Sequence, residues 1–194
     1  MLGNIINWRQ VCFLRQEGFS LVELMITLAV FGLLMALAMP AYQAFIQNTR
    51  IRTTAESILN GLQLARAEAV KRNASVQFVL GANSDWSVGC LPPVVADNDG
   101  DGQPDCPAIL QSRSTSDGAS SSIIVTPVPA GRTQVVFSNL GVVSSTVNTF
   151  TQVNIDVSVL PSTESRDLSI VIGTGGNARM CDPNVSAVDD NRKC

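Results

Sequence analysis

Residues 24–49 are 26 consecutive positions without a charge. About 20 apolar residues in a helix cross a bilayer core, so this stretch is long enough for an anchor. A cleavable secretory signal has a shorter apolar region, roughly 7–15 residues, closed by a small-residue cleavage site. Here the run is longer and continues through Tyr42 and Phe45 into a patterned segment. From residue 51 onward Ile51, Ala55, Ile58, Leu62, Ala65 and Ala69 recur at alternating steps of four and three. That spacing lines one face of an amphipathic helix. Arg50, Arg52, Glu56, Arg66, Glu68 and Lys71 fall off that face. The pattern predicts one helix over about 19–72, interrupted or kinked near Pro40, whose ring removes a backbone donor. At 1.5 Å per residue such a helix is roughly 80 Å long, far more than a bilayer needs. Its first half suits a membrane; its second half should pack on a folded head. Gly32 and Gly61 call for no special role.

Beyond residue 73 turn residues become frequent and helix signals weaken. Strands are predicted over 75–80, 86–90, 108–112, 122–126, 133–138, 151–159 and 168–172. In the sixth, Val153, Ile155, Val157 and Val159 alternate with Asn154, Asp156 and Ser158, the period of a half-buried strand. Residues 112–122 are polar and Ser-rich and read as a loop. The fold class is α+β: one long N-terminal helix packed on an antiparallel β-sheet head.

Composition narrows the function. The chain has 194 residues, five cysteines and no histidine. Without histidine there is no Ser-His-Asp or Cys-His catalysis and no His-containing zinc site. No P-loop and no nucleophile elbow is present, so an enzyme is not expected. The net charge of −3 is not that of a basic nucleic-acid binder. Arg9 and Arg15 precede the apolar run, and positive flanks stay cytoplasmic, so the head is expected on the far side of the membrane. Paired cysteines suit such an oxidising compartment. Glu23 stands at the start of the apolar run. A carboxylate there is either functional, because its burial in lipid is costly, or an interfacial group favoured by the helix dipole.

The residues Gly18-Phe19-Ser20-Leu21-Val22-Glu23-Leu24 resemble the prepilin processing site of type IV pilins and type II secretion pseudopilins. The resemblance implies that residues 1–18 are a leader, cut after Gly18 by a prepilin peptidase of the inner membrane, with Phe19 then N-methylated. It implies that Glu23 pairs with the N-terminal amine of a neighbouring subunit and sets register in a filament. The segment Leu64-Ala65-Arg66-Ala67-Glu68-Ala69-Val70-Lys71-Arg72-Asn73 is similar to the helix end of GspH/FimT-type minor pilins and pseudopilins, and the stretch from Met180-Cys181-Asp182-Pro183 to Cys194 is similar to the FimT/FimU branch. Trp86-Ser87-Val88-Gly89 and the turn over 97–102 look like the family's next hairpin. On this reading the chain comprises a leader (1–18), a transmembrane and filament-core helix (19–46), an amphipathic helix (47–73) and a stapled β-rich head (74–194). The implied role is a minor pilin that helps initiate assembly at or near the tip, among other major and minor subunits. Its head would lie in the periplasm before export. The alternatives are a DNA-binding minor pilin for natural transformation and a type II secretion pseudopilin.

Three local features carry further expectations. Cys12 would leave with the leader, and the other four cysteines allow three connectivities. The shortest loops pair Cys90 with Cys106 and Cys181 with Cys194. A four-cysteine zinc site lacks the usual close spacing. Asp97, Asp99, Asp101 and Asp105 alternate like a calcium loop, with Gly102 at the sharp turn, but Ala108 stands where a bidentate glutamate belongs, and the flanks read as strands. No cofactor is therefore expected, with calcium as the alternative. Some family members bind DNA through a Gly-Arg-x-Arg motif; Gly176-Asn177-Ala178-Arg179 keeps its glycine and last arginine, and Arg192 and Lys193 could add phosphate contacts. Against this, residues 73–194 carry six Lys/Arg and twelve Asp/Glu, a balance that opposes phosphate binding.

Overall fold

The computed structural model describes residues 18–97, 100, 105–114, 122–144, 148–187 and 189–194. The leader before Gly18 and most of the serine-rich loop over 112–122 lie outside the described residues. The chain divides into two compact units at Ala41 and Tyr42.

In the first unit the described chain is almost entirely helix. Helix α1 spans Leu21–Lys71 and runs unbroken through Pro40, without the interruption its sequence suggests. Its start is fixed by Ser20, whose Oγ accepts the Glu23 N–H at 3.1 Å while its carbonyl accepts the Leu24 N–H at 3.1 Å. All large apolar side chains from Phe19 to Met39 are exposed. This is the helix long and apolar enough to cross a membrane.

In the second unit α1 is amphipathic. Ile51, Ala55, Ile58, Leu62, Ala65 and Ala69 are all buried, the six positions their spacing predicts. Fully burying each Ile or Leu side chain contributes about 1.5–3 kcal/mol. They pack on two antiparallel sheets. The first holds β1 (Val76–Leu80), β2 (Trp86–Cys90), β3 (Gln111–Arg113), β5 (Gln134–Phe137) and β6 (Val143–Ser144), in the order β3-β2-β1-β5-β6. The second holds β4 (Ile123–Val128), β7 (Gln152–Val157), β8 (Leu168–Ile172) and β9 (Ala178–Cys181), in the order β4-β7-β8-β9. Phe78, Phe137, Phe150, Val153, Ile155 and Ile170 fill the core between helix and sheets.

Four details depart from the sequence reading. Strand β3 begins only at Gln111; before it the chain still meets β2, with the Cys90 N–H donating to the Pro107 carbonyl at 3.0 Å and the Leu110 N–H to the Val88 carbonyl at 2.7 Å, but outside the regular ladder. Strand β7 ends at Val157, which leaves Val159 exposed. Two short strands, β6 and β9, were not expected from their patterns. Gly61 has a specific role after all: a methyl group there would lie 2.7 Å from a ring carbon of Phe78 and 3.1 Å from Trp86. The helix approaches the sheet closely because that residue has no side chain.

Candidate functional site

The start of α1 carries the first candidate site. Gly18 has no neighbouring atom within 4 Å of where a side chain would begin, and Phe19 is 81% exposed. Glu23 lies in the first helical turn and is exposed. Ser20 and Glu23 are three residues apart, the spacing of a capping box, and the Ser20 half of that box is formed. The signal for it in the sequence is Ser-x-x-Glu placed before an apolar run. Ser20 thus fixes where the helix begins, and with it the place of Glu23.

The cysteines form two loops. Cys90–Cys106 has a Cα separation of 5.6 Å and Cys181–Cys194 one of 5.0 Å. With all four sulfurs bonded in pairs, these residues offer no thiolate set for zinc. Inside the first loop Val94 and Cys106 exchange backbone hydrogen bonds of 2.7 and 3.2 Å. Arg72, at the end of α1, donates through Nε to Glu68 Oε2 at 2.7 Å and through Nη1 to the Asp105 carbonyl. Gly89 is obligatory at the loop's base, since a methyl group there would lie 1.7 Å from the Ala108 carbonyl oxygen. Of the calcium candidates, Asp99 and Asp101 lie outside the described residues. Asp97 uses Oδ1 to accept the Gly100 N–H at 2.7 Å. Among the described residues no group of three acidic, Cys or His side chains could hold a metal ion.

The tail cations come together but are largely committed. Arg179, on β9, donates through Nη1 to the Lys193 carbonyl at 3.1 Å and through Nη2 to the Cys194 carbonyl at 3.5 Å. The Asp182 N–H donates to the Arg192 carbonyl, and Asp182 bridges Lys193. The tail therefore lies beside the end of β9, and Cys181–Cys194 ties it there. Arg192 forms an ion pair of 2.7 Å with Asp190. Hydrogen bonds from the Arg192 side chain and backbone hold the Asp190 carboxyl at about 2, well below its usual range. Gly176 also has a structural duty. Its φ is +79°, and a methyl group on it would sit 1.9 Å from the Gly141 carbonyl oxygen. That carbonyl accepts Arg66 Nε–H from α1 at 3.0 Å. The glycine of the motif-like stretch is thus required where two turns and the helix meet.

The family model described as type II transport protein GspH matches residues 54–176. The chain belongs to the GspH family. A second model, the prokaryotic N-terminal methylation motif, matches residues 14–39. A fimbrial protein of Pseudomonas aeruginosa is 32% identical over 89 residues, covering 45% of this chain and 57% of that protein. Fimbrial protein Q of Moraxella bovis is 54% identical over 39 residues, covering 19% of this chain and 25% of that one. The chain thus spans little more than half the length of the first relative and a quarter of the second. The type IV minor pilin FimU of Pseudomonas aeruginosa, a solved structure, is similar with a TM-score of 0.49 and 16% identity, over 74% of this chain and 99% of that one. Both family models fall on one chain, so this GspH-family protein also carries the prokaryotic N-terminal methylation motif. The methylation-motif match covers the start of the apolar helix that is long enough to cross a membrane.

Proposed function

We propose that this subunit belongs to a type IV pilus and helps initiate assembly at or near its tip, in contact with other major and minor subunits. The observation that carries this reading is the capped, wholly exposed apolar start of α1 inside the methylation-motif match. So much apolar surface needs lipid or neighbouring helices around it. The chain waits in the inner membrane with its head in the periplasm. Prepilin peptidase cuts after Gly18, and Phe19 receives the methyl group. Glu23, once within packed helices, needs a cationic partner, because an unpaired buried carboxylate is strongly destabilising. The new amine of Phe19 on a neighbouring subunit supplies that charge and fixes axial register. No cofactor is assigned to this role.

Two substitutions test the scheme together. Gly18→Ala should leave the leader uncut in a mass measurement of the membrane-extracted chain. Glu23→Ala should be cut normally yet be lost from filaments sheared off the cell surface. Normal cutting of the first, or full incorporation of the second, would remove the assigned role. Wild-type subunit found only in the periplasm, never in sheared filaments, would instead favour a type II secretion pseudopilus.

The DNA-receptor reading has one supporting contact, the approach of Arg179 to Lys193. Local charge opposes it: Arg179, Arg192 and Lys193 are matched by Asp182, Asp189 and Asp190. Phosphate neutralisation supplies most non-specific DNA affinity. In a gel-shift titration of the full chain in detergent at low and moderate salt, no salt-sensitive complex is expected. A complex that forms at low salt and collapses with Arg179→Ala would make the subunit a DNA receptor.

A further inference from the structure

An open cleft of about 560 Å³ runs between one flank of α1 and the outermost strand of the first sheet. Its origin lies in strand register. Trp86 pairs with Arg113 and Val88 with Gln111 across β2 and β3. Trp86 and Val88 are buried in the core, and directly paired residues share a sheet face. Arg113 and Gln111 therefore stand on the same face as that core. The opposite wall is Ser57, Asn60 and Leu64 of α1, spaced i, i+3 and i+7 along one flank. The Trp86 indole N–H donates to Ser57 Oγ at 2.9 Å and ties the two walls together.

Three features of the cleft point to one kind of occupant. The side chains of Asn60, Gln111 and Arg113 have no hydrogen bond or ion pair among the described residues, and none of the described residues that line the cleft is acidic. The outer edge of β3 pairs with no other strand among the described residues, and a free edge offers main-chain groups to an added strand. Trp86 is only 6% exposed, so its ring face offers no platform for a sugar. Side-chain amides give and accept hydrogen bonds as peptide groups do, and an unpaired guanidinium selects a carboxylate.

We propose that the cleft docks an extended peptide segment of another polypeptide, added along the edge of β3 with an acidic side chain set against Arg113. The dimensions fit about three residues: the three of β3 extend about 10 Å, and the flank from Ser57 to Leu64 rises about 10 Å. The interaction surface stands whether the chain is built into a pilus or a pseudopilus.

The test uses the full chain in detergent. The chain has two tryptophans, and Trp8→Phe leaves Trp86 as the sole reporter. The probes are the capped pentapeptide Val-Thr-Glu-Thr-Val, its Gln counterpart, and glucuronate. A saturable change in Trp86 emission is expected with the Glu peptide. Affinity should fall at least about tenfold for the Gln peptide, and equally for Arg113→Gln, because one charge-assisted pair is lost. Arg113→Gln should melt like the parent, since Arg113 has no partner among the described residues. Asn60→Lys should tighten the Glu peptide. Equal affinity for both peptides, unchanged binding in Arg113→Gln, saturation by glucuronate alone, or no saturable change with any probe would overturn the proposal.

Discussion

From Leu21 to Met39, α1 leaves its large apolar side chains 51–74% exposed, whereas Ile51, Ala55, Ile58, Leu62, Ala65 and Ala69 on the same helix are no more than 1% exposed. The two stretches do not differ in helix geometry. They differ in where apolar residues stand. In the first they surround the helix, so no single face can satisfy them, and the medium must be apolar on all sides. In the second they occupy one face, and a sheet covers it. One secondary-structure element thus serves two solvents, and the patterning of apolar positions decides which part meets which.

The comparison breaks most directly through paired truncations. Ile58→Ala, in the covered face, should destabilise the head by about 2–5 kcal/mol, the cost of a large-to-small change in a packed core. Leu34→Ala, in the exposed stretch, should leave the melting temperature of the full chain in detergent unchanged. The readout is near-ultraviolet circular dichroism, which reports packing in the head. A large loss from Leu34→Ala, or none from Ile58→Ala, would mean that the two stretches do not divide the work as described.

The two helix glycines sharpen the same contrast at smaller scale. Gly61 faces Phe78 and Trp86 at distances a methyl group cannot keep, while Gly32 has open space around it. Gly61→Ala should cost about 1–3 kcal/mol, the usual penalty of overpacking. Gly32→Ala should leave the head's stability unchanged, and the same thermal melts check both.

How far these features were legible from sequence varies for physical reasons. The buried helix face was readable because a period near 3.6 repeats over nearly twenty residues. Strands β1, β2 and β8 were readable because apolar residues cluster between turn signals. Strands β6 and β9 were not. The first has two residues, and Ala178-Arg179-Met180-Cys181 has no clean alternation; it becomes a strand by pairing with Ser169–Ile172. The duties of Gly61 and Gly176 were hidden for a similar reason: both depend on partners far along the chain, Phe78 and Trp86 for the first and Gly141 and Arg66 for the second. At the candidate sites, Gly18, Phe19 and Glu23 stood out as a local motif. The commitment of Arg192 to Asp190 and of Arg179 to the tail carbonyls needed the chain's path. The cleft at Arg113 also follows from register, which single residues do not announce.

The boundary between the two stretches is held at Asn48, and there the smallest effect is expected. Asn48 Nδ2–H donates to the Glu164 carbonyl at 2.9 Å, and its Oδ1 accepts the Arg166 N–H at 2.8 Å. The turn it grips ends in an acidic cluster: Ser165 Oγ donates to Asp156 at 3.2 Å and also contacts Asp167. Burial raises the Asp167 pKa above its usual 3.8; Asp156 and Asp182 push the same way, and the Ser165 hydrogen bond opposes them. The sign follows from linkage. A carboxyl whose pKa is higher in the folded chain binds its proton more tightly there. Its stabilising contribution is complete below the unfolded value and is lost as pH rises through the folded one. Asp167→Asn should therefore show less decline in melting temperature than the wild type as pH rises from about 3.8 toward neutrality. Because Asp167 is substantially solvated, the difference should be small, and hydrogen exchange at the backbone amide of Arg166 is the finer probe. That amide should exchange faster at neutral pH in the wild type than in Asp167→Asn, after correction for intrinsic rates. Identical protection in the two chains at both ends of the range would detach this cluster from the grip on Asn48, and the boundary would then rest on helix packing alone.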